Sequence, residues 1–525
     1  MTTLTMKFGG TSVGSAEAIS QAADIVLEQA QEWDRLAVVV SAMSGVTDAL
    51  TRGALSAESG DDQTYRAIVA DLRVRHYRVV DELLRPDGST SSPQRPVEGL
   101  RPDGSTSSPR RPVEGLRPDG STSSPRRLVE GARPELVEGL SPESERAQLL
   151  ATVDKYLDEF DTFCRSVHVL GEVTPRAMDA ITSLGERINA RILAGLLRQR
   201  GARSEAVDAT ELIVTDTTFQ NAVPLMDATC KQVSTRLAPL LDEGVIAIVT
   251  GFMGATEDGI TTTLGRGGSD YSATILGNCL NADEVWTWTD VDGVMTADPR
   301  TIPEARTIPS LSASEVSELA YFGAKVLHPR TIWPVVERDI PLWVKNTFNP
   351  ACPGTRIVRE AESTHGTIKA VTAIKGLSQV TVEGRGMMGV PGIAARTFAA
   401  VASQGASVLM ISQASSEQSI CFVIPAETVS PVIRAIEEEM ALELARGDVN
   451  RVWSLDDVVI VTAVGTGMRG TPGVAARIFG ALGQADINII AIAQGSSECS
   501  VSLVVAAKDA ADAVRQIHNE VISHG

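Results

Sequence analysis

The stretch Thr3-Leu-Thr-Met-Lys-Phe-Gly-Gly-Thr-Ser-Val-Gly14 joins a short apolar strand, Thr3–Phe8, to the start of a helix spanning Ala16–Gln31. Glycine lets the backbone come close to a polyphosphate, the free amides form an anion nest, and Lys7 brings mobile positive charge. The lysine precedes Gly9 and Gly10, which separates this loop from a Walker A sequence. A tight strand-to-helix turn is the plain alternative, and the lysine at the loop entrance favours phosphate over it. Outward from this loop, the alternation of strand and helix continues to about residue 345. Strand candidates are Leu36–Ser41, Ile246–Gly251, Glu284–Thr289 and Leu342–Asn346, several of them continuous apolar runs of the kind covered on both faces. Helical patterns fall between them at Met178–Arg200, Asp227–Glu243 and Ser269–Leu280. This order points to an α/β fold with a parallel or mixed sheet between helical layers.

A second glycine-rich loop, Thr263-Leu-Gly-Arg-Gly-Gly-Ser-Asp270, again lies between a strand region and a helix. Arg266 has the two-pronged geometry that grips a carboxylate. Ser269 as a helix cap and Asp270 as a partner of the helix dipole are the plain roles for those residues. Two such loops meeting at one sheet edge favour a phosphoryl-transfer site. Trp288–Arg300 and Phe322–Pro329 read as further loop segments, with ordinary turns and functional loops both open.

Two repeats frame the rest. Arg85–Leu100 recurs almost unchanged at Arg101–Leu116 and Arg117–Ala132. Each copy offers only Val and Leu as core material, so burial cannot offset the entropy of ordering it. Residues 85–140 are therefore expected to be a disordered surface insertion, which a fold tolerates because loop closure costs rise slowly with length. The other repeat is structural: Gly389–Arg396 matches Gly470–Arg477, and Ile411–Glu417 matches Ile492–Glu498. Each copy reads strand, helix, strand, strand, helix. A spare strand at Ile368–Ile374 precedes the first copy and could complete the second, so two interlocked βαββαβ units are expected. The divisions are 1–345, 368–455 and 456–525. Gly384–Gly389 and Gly465–Gly470 fit GxGxxG, but the units are too short for a dinucleotide half-fold.

Composition bounds the function. The 525 residues carry 47 basic and 66 acidic side chains, a net charge of −19, which argues against nucleic acid or an anionic membrane as the main partner. No apolar run approaches a membrane span, and the N-terminus lacks a basic region followed by an apolar one. Six cysteines without CxxC pairs and six scattered histidines leave a metal centre or disulfide framework unexpected. The expected location is cytoplasmic.

Six motifs in order, KFGGTSVG, VVSAMSGVTD, SLGERINARIL, TLGRGGSD, WTDVDGVMTADPR and FGAKVLHPRTI, resemble the aspartokinase family, and the paired C-terminal units resemble its ACT domains. The resemblance covers nearly the whole chain outside residues 85–140. It implies an amino-acid-kinase αβα sandwich followed by the two ACT units, and ATP-dependent phosphorylation of the β-carboxylate of L-aspartate with Mg2+ on the nucleotide. It assigns Lys7, Arg266 and Asp270 to catalysis. Ser41, Thr47, Glu186, Arg266 and Ser269 would form the aspartate pocket. Lys7, Gly9, Gly10, Thr289, Asp290, Met295, Arg300 and Lys325 would contact ATP, with Met295 standing where a tyrosine is common. No protein-held metal is implied.

Gln413 and Gln494 are similar to the glutamines that bind threonine in the family's threonine-sensitive branch, with lysine as the other candidate effector. That branch often continues into a homoserine dehydrogenase, which is expected to be absent from a chain ending at Gly525. The family also implies a homodimer or dimer of dimers assembled through the ACT units. Two other readings stand beside this one: another amino-acid kinase of the same fold, and a catalytically silent amino-acid-sensing subunit.

Overall fold

The computed structural model describes residues 1–84, 142–324, 327–360, 368–387, 390–413, 418–495 and 497–522. The expected insertion at 85–140 lies outside them. Eight strands form one sheet in the order Ser204–Val207, Ile246–Thr250, Arg35–Val40, Thr3–Phe8, Glu284–Thr289, Leu342–Asn346, Thr355–Val358 and Ser310–Ser312. All neighbouring pairs are parallel except Leu342–Asn346 with Thr355–Val358.

The period-2 geometry of the strands sorts their side chains into two cores. Leu36, Val38 and Val40 join Leu4, Met6 and Phe8 on one face. They pack against helices Ala16–Gln29, Val46–Glu58 and Leu184–Gln199, and this core extends to Asp62–Leu83 and Pro142–Leu170. Ala37, Val39, Ala247 and Val249 face the other way, onto the helical stretch from Met226 to Asp242 and onto Gly268–Leu280 and Pro329–Val336. The α/β sandwich follows from this two-sided burial.

Local details depart from the sequence expectations for identifiable reasons. The single helix expected over Met178–Arg200 is two helices, Pro175–Thr182 and Leu184–Gln199, meeting at Ser183. The helix expected over Asp227–Glu243 contains a π turn at Val233–Leu237, ending two residues before Pro239, which cannot donate a backbone hydrogen bond. Cys230 and Cys279 form a disulfide between two helices of the second face, which corrects the expectation of no such link. The two cysteines are 49 residues apart in sequence, and only side-by-side packing of their helices brings their Cα atoms to 4.7 Å. No helix among the described residues is long and apolar enough to cross a membrane.

The C-terminal region is a six-stranded antiparallel sheet ordered Met410–Gln413, Ser419–Pro425, Ala370–Glu383, Arg451–Val464, Ser500–Ala506 and Ala491–Gln494. The spare strand and the first strand of the first unit are one continuous element, Ala370–Glu383. Its leading half, Ala370–Ile374, pairs with Ile460–Val464, and its trailing half pairs with Ser419–Pro425 and Arg451–Leu455. Strand Arg451–Val464 likewise runs through residue 455 without a break. The units therefore interlock by exchanging strand halves, and two helices cover each: Ile393–Ser403 with Val429–Glu439, and Val474–Gln484 with Ala510–Val521.

Candidate active site

Parallel strands deliver the loops at their carboxyl ends to one edge of the sheet. Here the loop after Thr3–Phe8, the loop after Arg35–Val40 and the loop before Gly268–Leu280 enclose a cavity of about 520 Å³. Lys7, Gly10, Ser41, Thr47, Glu186, Arg266, Ser269 and Asp270 all line it.

Lys7 is 8% exposed, and its Nζ lies 2.7 Å from Asp270 Oδ1. Asp270 sits in the first turn of its helix, where the dipole favours an anion. The pair holds the ammonium at the cavity floor. Gly267 precedes this helix with φ of +73°, a conformation open to glycine, and turns the chain so that Arg266 projects to the rim. Arg266 is exposed, and no carboxylate pairs with it among the described residues. Phe252, also in the lining, holds φ of +71°, an uncommon conformation for a bulky side chain and a place where strain is stored beside the cavity.

Glu186 is the most informative group. It is 3% exposed, and Oε2 has no hydrogen-bond partner. Burial pushes its pKa up to about 8, against smaller opposing hydrogen bonds from the backbone of Ala42 and of Glu186 itself. A fully desolvated carboxyl in a cavity wall, with one oxygen left unpartnered, is suited to receive a cation.

Supporting contacts hold these loops in register. Ser41 N donates to Phe8 O at 3.1 Å, and Asn189 Nδ2 donates to Ser41 O at 2.7 Å. The buried Asp179 carboxylate accepts from Thr263 N, Thr263 Oγ1 and Gln220 N, anchoring the strand that leads directly into the Arg266 loop. Asp179 was missed in the sequence because nothing local distinguishes it from an ordinary helical aspartate; its partners lie 41 and 84 positions away.

The other expected positions are placed differently. Gly9 lies just behind the cavity, its amide donating to Trp288 O at 3.1 Å. Thr289 ends the adjacent strand and Asp290 follows it, with Thr289 Oγ1 donating to Asp290 Oδ1. Met295 pairs across a bridge with Thr307, and Arg300 is exposed and bonded to Asp298. These four are not in the cavity wall. Lys325 lies outside the described residues.

In the C-terminal sheet, Gln413 and Gln494 end equivalent edge strands. Gln494 also lines a separate cavity of about 780 Å³ with Met468, Gly470, Thr471, Gly473 and Glu498.

A model of the amino acid kinase family matches residues 2–346, and an ACT domain model matches residues 380–440 and 461–521. A curated aspartokinase of Schizosaccharomyces pombe is 32% identical over 388 residues, which cover 69% of this chain and 73% of that protein. The chain belongs to the aspartokinase family. An Arabidopsis thaliana chloroplastic bifunctional aspartokinase/homoserine dehydrogenase is 35% identical over 520 residues, 98% of this chain and 50% of that protein. The chain thus spans about half the length of the bifunctional relatives it matches. Among solved structures, Escherichia coli aspartokinase III in complex with aspartate and ADP (R-state) matches with a TM-score of 0.72 at 25% identity, over 99% of both chains. The same enzyme in complex with lysine and aspartate (T-state) matches equally well. This aspartokinase fold therefore includes both the α/β sandwich and the paired ACT units described above.

Proposed function

We propose that the chain is an aspartate kinase, transferring the γ-phosphoryl group of ATP to the β-carboxylate of L-aspartate to give 4-phospho-L-aspartate and ADP. The observation that carries this reading is the buried Glu186 carboxyl, with one oxygen unpartnered, in the wall of the same cavity as Arg266 and the Lys7–Asp270 pair. An α-amino acid brings the complement of that arrangement. Its ammonium fits Glu186, its α-carboxylate fits Arg266, and Ser41, Thr47 and Ser269 offer hydroxyls around it. The side-chain carboxylate is then free to point toward Lys7.

In the reaction, a β-carboxylate oxygen forms a bond to the γ-phosphorus while the bond from that phosphorus to the β,γ-bridging oxygen breaks, leaving the electron pair on ADP. The carboxylate is already ionised at neutral pH, so no general base is required. Positioning and charge neutralisation carry the catalysis. Lys7, held by Asp270, meets the negative charge on the transferring group. Gly9 and Gly10 leave room for the phosphates, and Thr289, Asp290, Met295, Arg300 and Lys325 are assigned to the nucleotide side. Asp270 is a hard oxygen donor suited to Mg2+, and no group of three or more potential metal ligands occurs among the described residues. The ion would therefore be carried chiefly by the ATP phosphates, whose charge it would neutralise.

The functional division assigns 1–345 to catalysis, 368–455 to the first ACT unit and 456–525 to the second. Gln413 and Gln494 would bind threonine as feedback inhibitor, with lysine as the alternative, in a cytoplasmic homodimer or dimer of dimers formed through the ACT units. Turnover is measured by trapping the acyl phosphate with hydroxylamine. Aspartate-dependent hydroxamate that threonine at about 10 mM, far above ordinary effector affinities, suppresses is the expected result. Inhibition by lysine alone would reassign the effector. No hydroxamate from folded protein would sink the kinase reading and favour a silent sensor.

A structural test is available at Gly251. A Cβ there would lie 2.7 Å from both Cβ and Oγ of Ser269 and 3.1 Å from its Cα. Gly251→Ala is expected to displace the helix start that carries Ser269 and Asp270, raising KM for aspartate roughly ten-fold in steady-state assays. An unchanged KM would show that the Ser269 region is not part of the aspartate pocket.

A further inference from the structure

Helix Ala313–Tyr321 of the kinase lobe is capped in an ordinary way, with one atom left over. Ser312 Oγ accepts from Glu315 N at 3.2 Å, and Ser312 N donates back to Glu315 Oε2 at 2.8 Å. This reciprocal box needs only one oxygen of the glutamate. The other, Oε1, accepts from Thr466 N at 2.8 Å and Thr466 Oγ1 at 2.7 Å, both belonging to the second ACT unit. Lys369, at the entrance to the shared strand, completes the shell with Nζ 2.9 Å from Oε2. Glu315 is 0% exposed. Burial acts to raise its pKa, but these donors outweigh it and hold the group below the usual carboxylate range, so it remains anionic.

The same helix touches the regulatory sheet elsewhere. Ser500 Oγ donates to Glu318 Oε2 at 2.8 Å, and Thr372 Oγ1 donates to Phe322 O at 3.0 Å. Phe322 packs into an apolar cluster with Leu377, Val458, Ile460 and Val504 of that sheet.

What lies on either side of Glu315 gives it significance. Thr466 opens the loop Gly465–Gly470, and that loop continues into the wall of the Gln494 cavity through Met468, Gly470 and Thr471. On the kinase side, Ala313–Tyr321 packs against Pro329–Val336, which packs against Gly268–Leu280. Thr274 Oγ1 of the last helix donates to Thr331 O, and the Thr331 methyl lies 3.1 Å from where a Cβ on Gly267 would stand. One helix, Pro329–Val336, therefore lies between the helix of Glu315 and the helix that carries Ser269 and Asp270.

We propose that the Glu315–Thr466 contact is the joint through which an amino acid bound in the Gln494 cavity alters the phosphoryl-transfer site. The proposal rests on the kinase and effector readings above and deepens them by naming the connection. A shift of the 465–471 loop on ligand binding cannot leave Glu315 unaffected, because three of the carboxylate's four described side-chain or backbone partners outside its own residue belong to segments of the regulatory region. Movement of Glu315 acts on the helix that it caps. Glu315 and Thr466 are positioning residues and touch no reacting atom.

The test compares the full-length wild type with Glu315→Gln and Thr466→Val. Inhibition by threonine and by lysine is measured in the hydroxamate assay. Binding of each is measured by calorimetry, with and without aspartate plus a non-hydrolysable ATP analogue. Both variants are expected to keep kcat and KM within about two-fold without effector and to bind effector still. Their half-inhibiting concentration should rise about ten-fold or more, within the usual range of coupling between sites. Because coupling is reciprocal, the ratio of effector Kd with and without the substrate pair should fall toward one in the variants.

Thr466→Val keeps the Glu315–Lys369 pair, so it decides the matter if Glu315→Gln does not fold. Wild-type inhibition in Thr466→Val, with an unchanged Kd ratio, overturns the joint alone. A wild type that neither amino acid binds or inhibits overturns the effector reading and the joint together, while hydroxamate formation still reports separately on the kinase reading.

Discussion

Lys7→Met is expected to lower kcat about a thousand-fold while KM for aspartate changes little, since removing one preorganised charge at the transferring group costs on the order of 100- to 1000-fold or more. The substitution keeps the apolar stem and removes only the ammonium that sits 2.7 Å from Asp270. It also leaves Asp270 beside the phosphates without its cation, so part of the loss is new repulsion. Asp270→Asn isolates that component. If Asp270 serves chiefly to hold Lys7, its own loss should be smaller, roughly ten- to a hundred-fold. The double variant should then resemble Lys7→Met rather than the product of the two. The measurement is single-turnover hydroxamate formation at saturating aspartate and ATP. A Lys7→Met enzyme within about ten-fold of wild type would remove Lys7 from the chemistry.

Glu186→Gln is expected to raise KM for aspartate about a hundred-fold, because it removes one member of a buried charge pair while leaving the cavity shape intact. The pH dependence distinguishes this from a packing defect. In the empty site the Glu186 pKa is about 8, so near neutrality much of the free enzyme carries a neutral acid there. The ammonium of the substrate favours the ionised form. The competent state is therefore lost as pH falls through about 8. Accordingly, kcat/KM for aspartate in the wild type should climb from pH 6, pass half its plateau near the Glu186 pKa of about 8, and level off above it. Bound ammonium lowers that pKa, so kcat should vary less over the same range. Glu186→Gln cannot ionise and should flatten the kcat/KM limb. A limb that persists unchanged in the variant would assign the titration to another group.

Much of the fold was legible because it is written in local patterns. The strands Arg35–Val40 and Ile246–Thr250 follow the continuous apolar runs Leu36–Val40 and Ile246–Val249. A run with no polar face cannot sit at a surface, so a sheet covered on both sides was the consistent solution. The repeat between Gly389–Arg396 and Gly470–Arg477 similarly announced two related units. Lys7, Arg266 and Asp270 were visible because glycine-rich turns mark where a backbone comes close to something.

Other properties depend on atoms brought together from distant positions. Glu186 looks like any first-turn glutamate in the sequence; its raised pKa comes from complete burial, which outweighs a lowering hydrogen bond from the Ala42 backbone, and Oε2 is left without a partner. Asp179 anchors the Arg266 loop through Thr263, 84 residues away, and Glu315 meets Thr466 across 151. The disulfide between Cys230 and Cys279 and the exchange of strand halves at Ala370–Glu383 belong to the same class. Periodicity and turn chemistry act over a few residues and so determined the elements and the loops that carry the chemistry. Desolvation, charge pairing and register depend on what packs above and beside each group, and only the tertiary structure decided those.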